Sequence, residues 1–408
     1  MTMRQGEDCS GVSQAQRDDL RRRDCVGAAA SGASIVLAGA IRRRSAVPVA
    51  RDAARSGYTS SLMAAVLAVA ATVTSVIPAS ADNRNVPQFP TAWQSKLDTS
   101  HPLVGRIWSR AANGFVSAQD YGTALAKSRF ILLGEVHDNP DHHALQAWAI
   151  RTVSKLRGAR LVEGAPQADI VALEMLTSDQ NDDLDRFYGR KAKVPRPRTA
   201  DDFGRMLKWD RLGWPDYAIY APIIAQALYD QLVLKPASPP RTENRAVSKD
   251  GFDALGEGVA SALALDRPLP AAAAEGLAVE IRDGHCNMMP ETGIPAMSRV
   301  QRLRDARMAD AMMSVGEWKG GFLIAGNGHV RRDRGVAWYM AARGIPEAEI
   351  TTVLHVEVRD GMTDPAAYMD PQPPTATFAD FIVFTPRTQR PDACEEMRRQ
   401  MQQMQRKS

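Results

Sequence analysis

The alternation of short apolar runs with longer segments of helical periodicity is the feature that most constrains how this chain can fold. Six runs are rich in aliphatic or β-branched side chains and short enough to be strands buried on both faces: residues 130–133, 170–173, 231–234, 321–324, 351–354 and 381–384. Helical periodicity lies between them, for example in residues 142–156, 215–229, 297–315 and 333–342. This order predicts an α/β fold with a mainly parallel central sheet flanked by helices.

The regular alternation loosens after the second run, and residues 176–296 are predicted to form a largely helical insertion. It contains a basic stretch at 189–198, a proline-rich stretch at 235–241 and an alanine-rich stretch at 260–278. Pro268 and Pro270 are predicted to divide the last of these into two helices, because proline removes a helical hydrogen bond. Residues 392–408 are charged and rich in Gln and Met, which predicts a solvated helix or a frayed end.

The first 81 residues are not expected to belong to the fold. Residues 57–81 carry no charge and end in Ala79-Ser80-Ala81, the small-x-small pattern that a signal peptidase accepts. A signal peptide is therefore predicted at 62–81; the alternative, a membrane anchor, would need about 18–20 uninterrupted apolar residues. The Arg-, Ala- and Ser-rich segment 1–61 is predicted to be a non-native or disordered extension, produced by an over-called start codon. The domain then occupies residues 82–391.

The net charge of +4 comes entirely from this N-terminal segment. Ten of the 51 basic residues and six of the 47 acidic residues lie within residues 1–61, so 41 of each sign remain after Ala81. The basic isoelectric point is thus no indication of nucleic-acid binding. We expect a periplasmic or secreted protein without a further membrane span.

Two of the four cysteines, Cys286 and Cys394, lie beyond the predicted cleavage site. In an oxidising compartment they either form a single disulfide or remain as two free thiols. No cysteine directly follows the cleavage site, so lipid attachment there is not expected.

Two strand ends carry the same tetrad, Gly-x-x-His. The run at 130–133 continues into Gly134-Glu135-Val136-His137, and the run at 321–324 continues into Gly326-Asn327-Gly328-His329. The carboxyl ends of parallel strands meet at one edge of a sheet, where ligand sites collect. We therefore predict that the two histidines converge on one ligand, as ligands of a metal or haem iron or as proton carriers.

Further polar residues are expected at the same edge. Glu174 follows the second run, and a carboxylate there is costly unless it is solvated or paired. His285 lies in a Gly-His-Cys sequence, and Arg304 and Asp305 lie on a helix from which they would orient histidines. Tyr217 belongs to an aromatic helix face that suits a porphyrin pocket, since tyrosinate can ligate ferric iron.

Each of these residues also has a structural explanation. A histidine after a strand is more often a hydrogen-bonding core residue than a ligand, and His142 and His143 at the start of a helix are as easily structural as functional. Glu174 on its own is as easily a capping carboxylate, and an aromatic stripe is usually core. The motifs of serine hydrolases, P-loop proteins and dinucleotide-binding proteins are missing from the sequence.

Taken in order, the motifs resemble those of the ChaN-like haem-binding uptake proteins, over roughly residues 130–385. The matching segments are 131–143, 172–175, His285-Cys286, Gln301, Arg304-Asp305, Met308-Ala309 and 326–330. That family belongs to a superfamily with Tiki-type metalloproteases and erythromycin-esterase-like enzymes, which share paired Gly-x-x-His motifs and a glutamate. The resemblance implies haem or iron acquisition at the bacterial envelope, with haem as the cofactor. A homodimer and envelope haem-transport components are the partners to be considered.

The resulting hypothesis is an exported haem-binding protein whose pocket lies at the strand ends. His137 and His329 are predicted to contact haem directly, Glu135 and Glu174 to orient or balance them, and His285 to lie at the rim, with Tyr217 as a further pocket residue. ChaN itself is a lipoprotein, and the missing lipobox cysteine is a departure from it.

The alternative hypothesis is a hydrolase that depends on a divalent metal. His137, His329 and Glu174 would hold the ion with one open position, and the ion would activate water. Glu135 would then be the general base. A passive envelope scaffold is the third possibility.

Overall fold

A computed structural model describes residues 86–158, 167–188, 199–316, 319–369 and 378–405. The predicted N-terminal extension 1–61, the predicted signal peptide 62–81 and the basic stretch 189–198 lie outside these residues. The account below concerns the described residues alone.

The described residues contain a single eight-stranded sheet that is parallel except at one edge. Its strands are β1 (Ile107–Ser109), β2 (Gly114–Val116), β3 (Phe130–Glu135), β4 (Gln167–Thr177), β5 (Val233–Ser238), β6 (Lys319–Gly326), β7 (Ile350–Glu357) and β8 (Phe381–Thr385). The order across the sheet is β2-β1-β8-β7-β3-β6-β4-β5. β1 pairs antiparallel with both β2 and β8, and the other neighbours are parallel. The predicted fold class is confirmed, and each of the six predicted strands is present.

Helices cover both faces of the sheet. They are α1 (Ala118–Lys127), α2 (Pro140–Gly158), α3 (Asn181–Phe187), α4 (Ala200–Leu207), α5 (Tyr217–Tyr229), α6 (Arg241–Asp250), α7 (Val259–Ala262), α8 (Ala271–Gly284), α9 (Ile294–Met313), α10 (Val336–Ala342) and α11 (Ala393–Gln405). In β3, Phe130 and Leu132 belong to the core shared with α9 and α10, whereas Ile131 and Leu133 belong to the core shared with α1, α2 and α5. All four are fully buried, as expected of a central strand covered on both faces.

The segment predicted as a largely helical insertion, 176–296, contains α3 to α8 and also the strand β5, which forms one edge of the sheet. The two prolines of the alanine-rich stretch separate α7 from α8, and α8 begins directly after Pro270. A third, smaller core lies between α8 and α9 and includes Leu277, Ile281 and Ile294.

A disulfide joins Cys286 to Cys394, with Cα atoms 5.5 Å apart. The paired state, one of the two alternatives predicted from the sequence, is thus confirmed. It connects the residues after α8 to the start of α11, whose side chains are largely exposed. Among the described helices none is both long and apolar enough to cross a membrane.

Candidate functional site

The two Gly-x-x-His tetrads lie side by side. β3 and β6 are parallel neighbours in which Gly134 pairs with Ala325 and Glu135 pairs with Gly326. Both glycines allow a close approach: a Cβ added to Gly134 would lie 2.3 Å from Asn327 Oδ1, and one added to Gly326 would lie 3.1 Å from His137 Nε2. The glycines therefore let polar side chains pack directly over the strand ends.

The first half of the site surrounds the tetrad 134–137, and its polar side chains meet at the carboxylate of Glu135. Its fully buried carboxylate accepts from His137 Nδ1 at 2.8 Å, Gln146 Nε2 at 2.9 Å and the Tyr220 hydroxyl at 3.2 Å, and lies 3.3 Å from His143 Nδ1. Burial alone would raise the pKa of this carboxyl, but His143 and His137 hold it below its ordinary value. Glu135 is therefore an ionised and fully satisfied carboxylate.

His142 and His143, in the first turn of α2, differ in protonation state. His143 is buried with one ring nitrogen against Glu135 and the other 2.9 Å from the carbonyl oxygen of His137. Burial opposes the charge, yet Glu135 raises the pKa of His143, so both nitrogens donate. His142 instead accepts a hydrogen bond from the backbone N–H of Val136. Burial and then His355 lower the pKa of His142 far below its ordinary value, so this histidine is neutral. His142 is thus a structural residue that fixes the strand-to-helix turn.

The second half of the site surrounds the tetrad 326–329, and its polar groups meet at the carboxylate of Glu174. Its carboxylate accepts from the backbone N–H of Gly326 at 2.7 Å, forms an ion pair with Arg304, and lies 3.3 Å from His329 Nε2. Burial would raise the pKa of this carboxyl, but His329 and then Arg304 hold it well below its usual range. The structural alternative of a solvated or capping carboxylate does not describe Glu174, which is 2% exposed.

His329 lies between two carboxylates. Its Nδ1 is 2.6 Å from Asp305 Oδ1, on the opposite side of the ring from Glu174. Burial lowers its pKa, but Glu174 and Asp305 outweigh this and raise the pKa of His329 to about 9. Burial raises the pKa of Asp305 to about 6 against the opposing charge of His329. Near neutral pH the negative charges of Asp305 and Glu174 are therefore balanced by the positive charges of His329 and Arg304, and the four groups contact one another in sequence.

His137 is the member of the site that faces outward. Its side chain is 35% exposed, against 6% for His329, and its ring packs edge-on against Trp214 with centroids 4.9 Å apart. Glu135 holds Nδ1, and Nε2 lies 3.9 Å from Glu174 Oε2, beside Gly326. Of the four ring nitrogens of the two tetrad histidines, Nε2 of His137 is the one for which no hydrogen bond is found in the described part of the chain.

A family model described as "Haem-binding uptake, Tiki superfamily, ChaN" matches residues 122–340, more than half of the 408 residues. The chain belongs to this family. The matched segment contains every residue of the two halves of the site, and it confirms the family predicted from the sequence. No curated protein shows significant similarity to the chain.

Solved structures resemble this ChaN-family chain at low sequence identity. ChaN of Campylobacter jejuni, described as binding haem cofacially, is 20% identical over 68% of this chain and 95% of its own, with a TM-score of 0.52, which shows a shared fold. A mutant of the erythromycin esterase EreC in its open conformation is 12% identical over 68% and 95%, with a TM-score of 0.37. The type III effector HopBA1 is 10% identical over 65% and 91%, with a TM-score of 0.34. The TM-scores of these last two structures are too low to show a shared fold.

The structure places two further predicted residues of this ChaN-family chain away from the network. The hydroxyl of Tyr217 donates to the carbonyl oxygen of Ala200, and its ring packs against Gly204, so it joins α5 to α4. His285 follows α8, and its Nδ1 lies 2.7 Å from the carbonyl oxygen of Ile281. The tyrosine that reaches the site is Tyr220, three residues further along α5.

Gln146 was not predicted as a site residue, and of the aromatic stretch that contains Trp214, Tyr217 and Tyr220 the sequence analysis selected Tyr217. A signal existed for Gln146, which lies three residues after His143 and therefore on the same face of a helix. Tyr220 lies three residues after Tyr217 on the same aromatic face, but only the packing of α5 on β3 shows which of the two hydroxyls meets the carboxylate of Glu135.

The metal triad predicted as an alternative consists of His137, His329 and Glu174. Both ring nitrogens of His329 face carboxylates, Nε2 towards Glu174 at 3.3 Å and Nδ1 towards Asp305 at 2.6 Å. In the parts of the chain that the structure describes, no group of three or more His, Cys, Asp or Glu side chains is arranged to hold a metal ion.

The residues fit haem better than a metal ion with three protein ligands. A histidine whose Nε2 has no hydrogen bond among the described residues, as at His137, is a residue type that ligates haem iron. Bound haem would supply its iron for ligation, and the chain would supply the orienting carboxylate of Glu135. Membership of the ChaN family supports haem as the cofactor, as the sequence predicted.

Proposed function

We propose that the protein is an exported haem-binding protein of haem or iron uptake, with His137 as its iron-facing residue. The observation that supports this most directly is the partly exposed side chain of His137, which lies in the segment that matches the haem-binding family. Glu135 holds its Nδ1, and no hydrogen bond of its Nε2 is found among the described residues. Glu135 takes the role of orienting His137, because its own oxygens are occupied by four neighbouring donors.

The second half of the site has a supporting role in this proposal. Glu174 and His329 are buried and neutralise each other together with Arg304 and Asp305. Glu174 also fixes the backbone of Gly326, against which the ring of His137 rests. Glu174 and His329 therefore stabilise the backbone next to which a ligand of His137 would lie.

The test is a haemin titration of the chain from Asp82 onward, followed by absorbance. The wild type is expected to show a saturable Soret shift, and His137→Ala is expected to lose it or move its wavelength. His101→Ala is the matched control, since the hydrogen bond found for its side chain among the described residues is accepted from the backbone N–H of Leu103 and not from the site. His285→Ala tests the predicted rim residue in the same assay.

Two results would contradict the proposal in different ways. An absence of any saturable shift in the wild type would reject haem binding. A shift of unchanged wavelength and affinity in His137→Ala would reject His137 as the iron-facing residue, and Tyr217→Phe and Tyr220→Phe would then be measured next.

Export to the periplasm is part of the proposal and rests on the signal peptide predicted at residues 62–81. Mass spectrometry of the protein from a periplasmic fraction is expected to find Asp82 as the first residue. A product that retains residues 62–81 in the membrane fraction would instead support an anchor.

A homodimer with haem between its subunits, and envelope haem-transport components as partners, complete the proposal. The description of the Campylobacter jejuni protein as binding haem cofacially motivates the dimer. Light scattering during size-exclusion chromatography, with and without haemin, is expected to show a doubled mass with the ligand.

A hydrolase that uses the same residues is the second candidate. The observation that favours it is the Glu135–His137 pair, since a carboxylate on Nδ1 leaves Nε2 free to take a proton from water. In this geometry His137, rather than Glu135, is the group positioned as a base. Esterase and peptidase activity that is lost in His137→Ala would support it, and loss of that activity on adding a chelator would point to the metal-dependent form.

A further inference from the structure

The Gly-His-Cys segment that follows α8 takes no part in the network at the strand ends. His285 is half-buried, and its Nδ1 lies 2.7 Å from the carbonyl oxygen of Ile281. A carbonyl oxygen only accepts, so Nδ1 carries the hydrogen and the neutral ring keeps its lone pair on Nε2. No hydrogen bond of this Nε2 is found among the described residues. Histidines that ligate metal ions typically have this arrangement, in which the other ring nitrogen donates to a carbonyl or carboxylate oxygen.

The backbone around His285 forms a tight turn. Cys286 and Asn287 have φ angles of 55° and 54°, in the left-handed region that is uncommon for residues other than glycine. The backbone N–H of Met288 closes the turn by donating to the carbonyl oxygen of His285 at 3.0 Å. The turn therefore holds the backbone of Met288 close to that of His285.

Further methionines lie on α11. Met397 and Met401 follow Cys394 by three and seven residues, which is the spacing of one face of a helix. Met397 is half-buried, and Met401 is 36% exposed. None of the three hydrophobic cores found in the described residues includes Met288, Met397 or Met401. Core packing therefore does not account for these three thioethers.

The disulfide brings the two segments together. The Cα atoms of Cys286 and Cys394 are 5.5 Å apart, and His285 and Met288 lie within two residues of Cys286. Along the axis of α11, Met397 is about 4.5 Å and Met401 about 10 Å from Cys394. Methionine side chains are long and have three rotatable bonds, so thioethers at these positions can converge on one ion.

We propose that His285, Met288, Met397 and Met401 form a binding site for a soft monovalent metal ion, copper(I). Thioether sulfur and imidazole nitrogen are ligands that copper(I) accepts, whereas calcium and magnesium ions require oxygen ligands. The site differs from the metal triad considered above, because three of its four ligands are thioethers. It lies outside both Gly-x-x-His tetrads and is independent of the proposed haem binding.

The disulfide has a defined role in this site. No residue of α11 belongs to the three hydrophobic cores of the described residues, so apolar packing contributes little to holding this helix. The bond between Cys286 and Cys394 instead fixes the helix beside the turn that carries His285. The cysteines therefore position the ligands and are not ligands themselves.

The first experiment uses silver(I), a redox-inert probe with the charge and the sulfur preference of copper(I). Silver nitrate is added in chloride-free buffer to the oxidised protein, labelled with ¹³C at the methionine methyl groups. The methyl resonances of Met288, Met397 and Met401, assigned from Met→Leu variants, are expected to shift and saturate. Met362 is the matched control, since it is 37% exposed, belongs to none of the three cores and lies in the loop after β7.

The second experiment measures copper(I) affinity by anaerobic competition with a chromophoric chelator. Met397→Leu and His285→Gln are each expected to weaken binding by at least about tenfold. Met362→Leu and His137→Ala should bind as the wild type does. Leucine is close to methionine in size, and circular dichroism checks that each variant is folded.

The results distinguish this site from non-specific binding and from the proposed function. Unshifted resonances at the three methionines, or an equal shift at Met362, would overturn the site, and so would wild-type copper(I) affinity in Met397→Leu. Replacing both Cys286 and Cys394 by Ser should weaken binding, and unchanged affinity would overturn the role of the disulfide. A protein that binds silver(I) here but shows no haemin titration would leave this inference standing while the proposed function fails.

Discussion

Replacing His329 by Gln should destabilise the fold strongly at neutral pH and much less at high pH. The imidazolium of His329 lies between the carboxylates of Glu174 and Asp305, at 3.3 and 2.6 Å. Removing one partner from a buried ion network typically costs about 3–5 kcal/mol, because the remaining charges lose their compensation. We expect a loss of that size at pH 7.

The pH dependence follows from the raised pKa of His329, about 9 against an ordinary 6.5. A group whose pKa is raised on folding contributes stability that is fully present below pH 6.5 and is lost as the pH rises through 9. The shift corresponds to about 3 kcal/mol. Because part of this stability is already lost at pH 7 and a little remains at pH 9.5, the free energies of unfolding of wild type and His329→Gln should differ by about 2.4 kcal/mol less at pH 9.5 than at pH 7.

Urea unfolding of both proteins at the two pH values measures this difference, with the slope of each transition checked for two-state behaviour. His285→Gln is the control, since His285 contacts a backbone carbonyl and not the network, and it should not reproduce the loss expected for His329→Gln. A difference between wild type and His329→Gln that is the same at pH 7 and pH 9.5 would refute the assignment of His329 as a buried imidazolium.

Three further predictions concern the surroundings of the site. Tyr220→Phe removes the one hydroxyl hydrogen that is shared between Glu135 Oε1 and the carbonyl oxygen of His137, and it should lower the free energy of unfolding by about 1–2 kcal/mol in urea titrations; no change would mean that water replaces the hydroxyl. Replacing Cys286 and Cys394 by Ser opens a link between residues 108 apart and should cost at most about 4–5 kcal/mol, seen as a lower melting temperature that reductant no longer affects. Gly328→Ala should cost about 1 kcal/mol in thermal melts, because its Cβ displaces the carboxylate of Glu280, and combining it with Glu280→Ala should cost no more than Glu280→Ala alone.

The fold could be predicted because its signals are local. Strands covered on both faces need continuous apolar runs, and helices between them need a 3.6-residue period, so both are written in short windows of sequence. The antiparallel strands β1 and β2 were not predicted, since three residues each are too few to show a pattern. The sequence did not decide whether Cys286 and Cys394 are bonded, because the number of residues between two cysteines does not give the distance between them in the folded protein.

The sequence by itself determined that polar tetrads end two strands and that Glu174 ends a third, because the change from apolar to polar residues is local. Only the tertiary structure decided what each side chain does there. β3 and β6 are adjacent although nearly 200 residues separate them in the chain, and this adjacency places both tetrad histidines at one edge of the sheet, with His329 buried and His137 partly exposed. The physical reason is that a pKa and an accessible nitrogen depend on desolvation and on neighbouring charges, which are brought together only by folding.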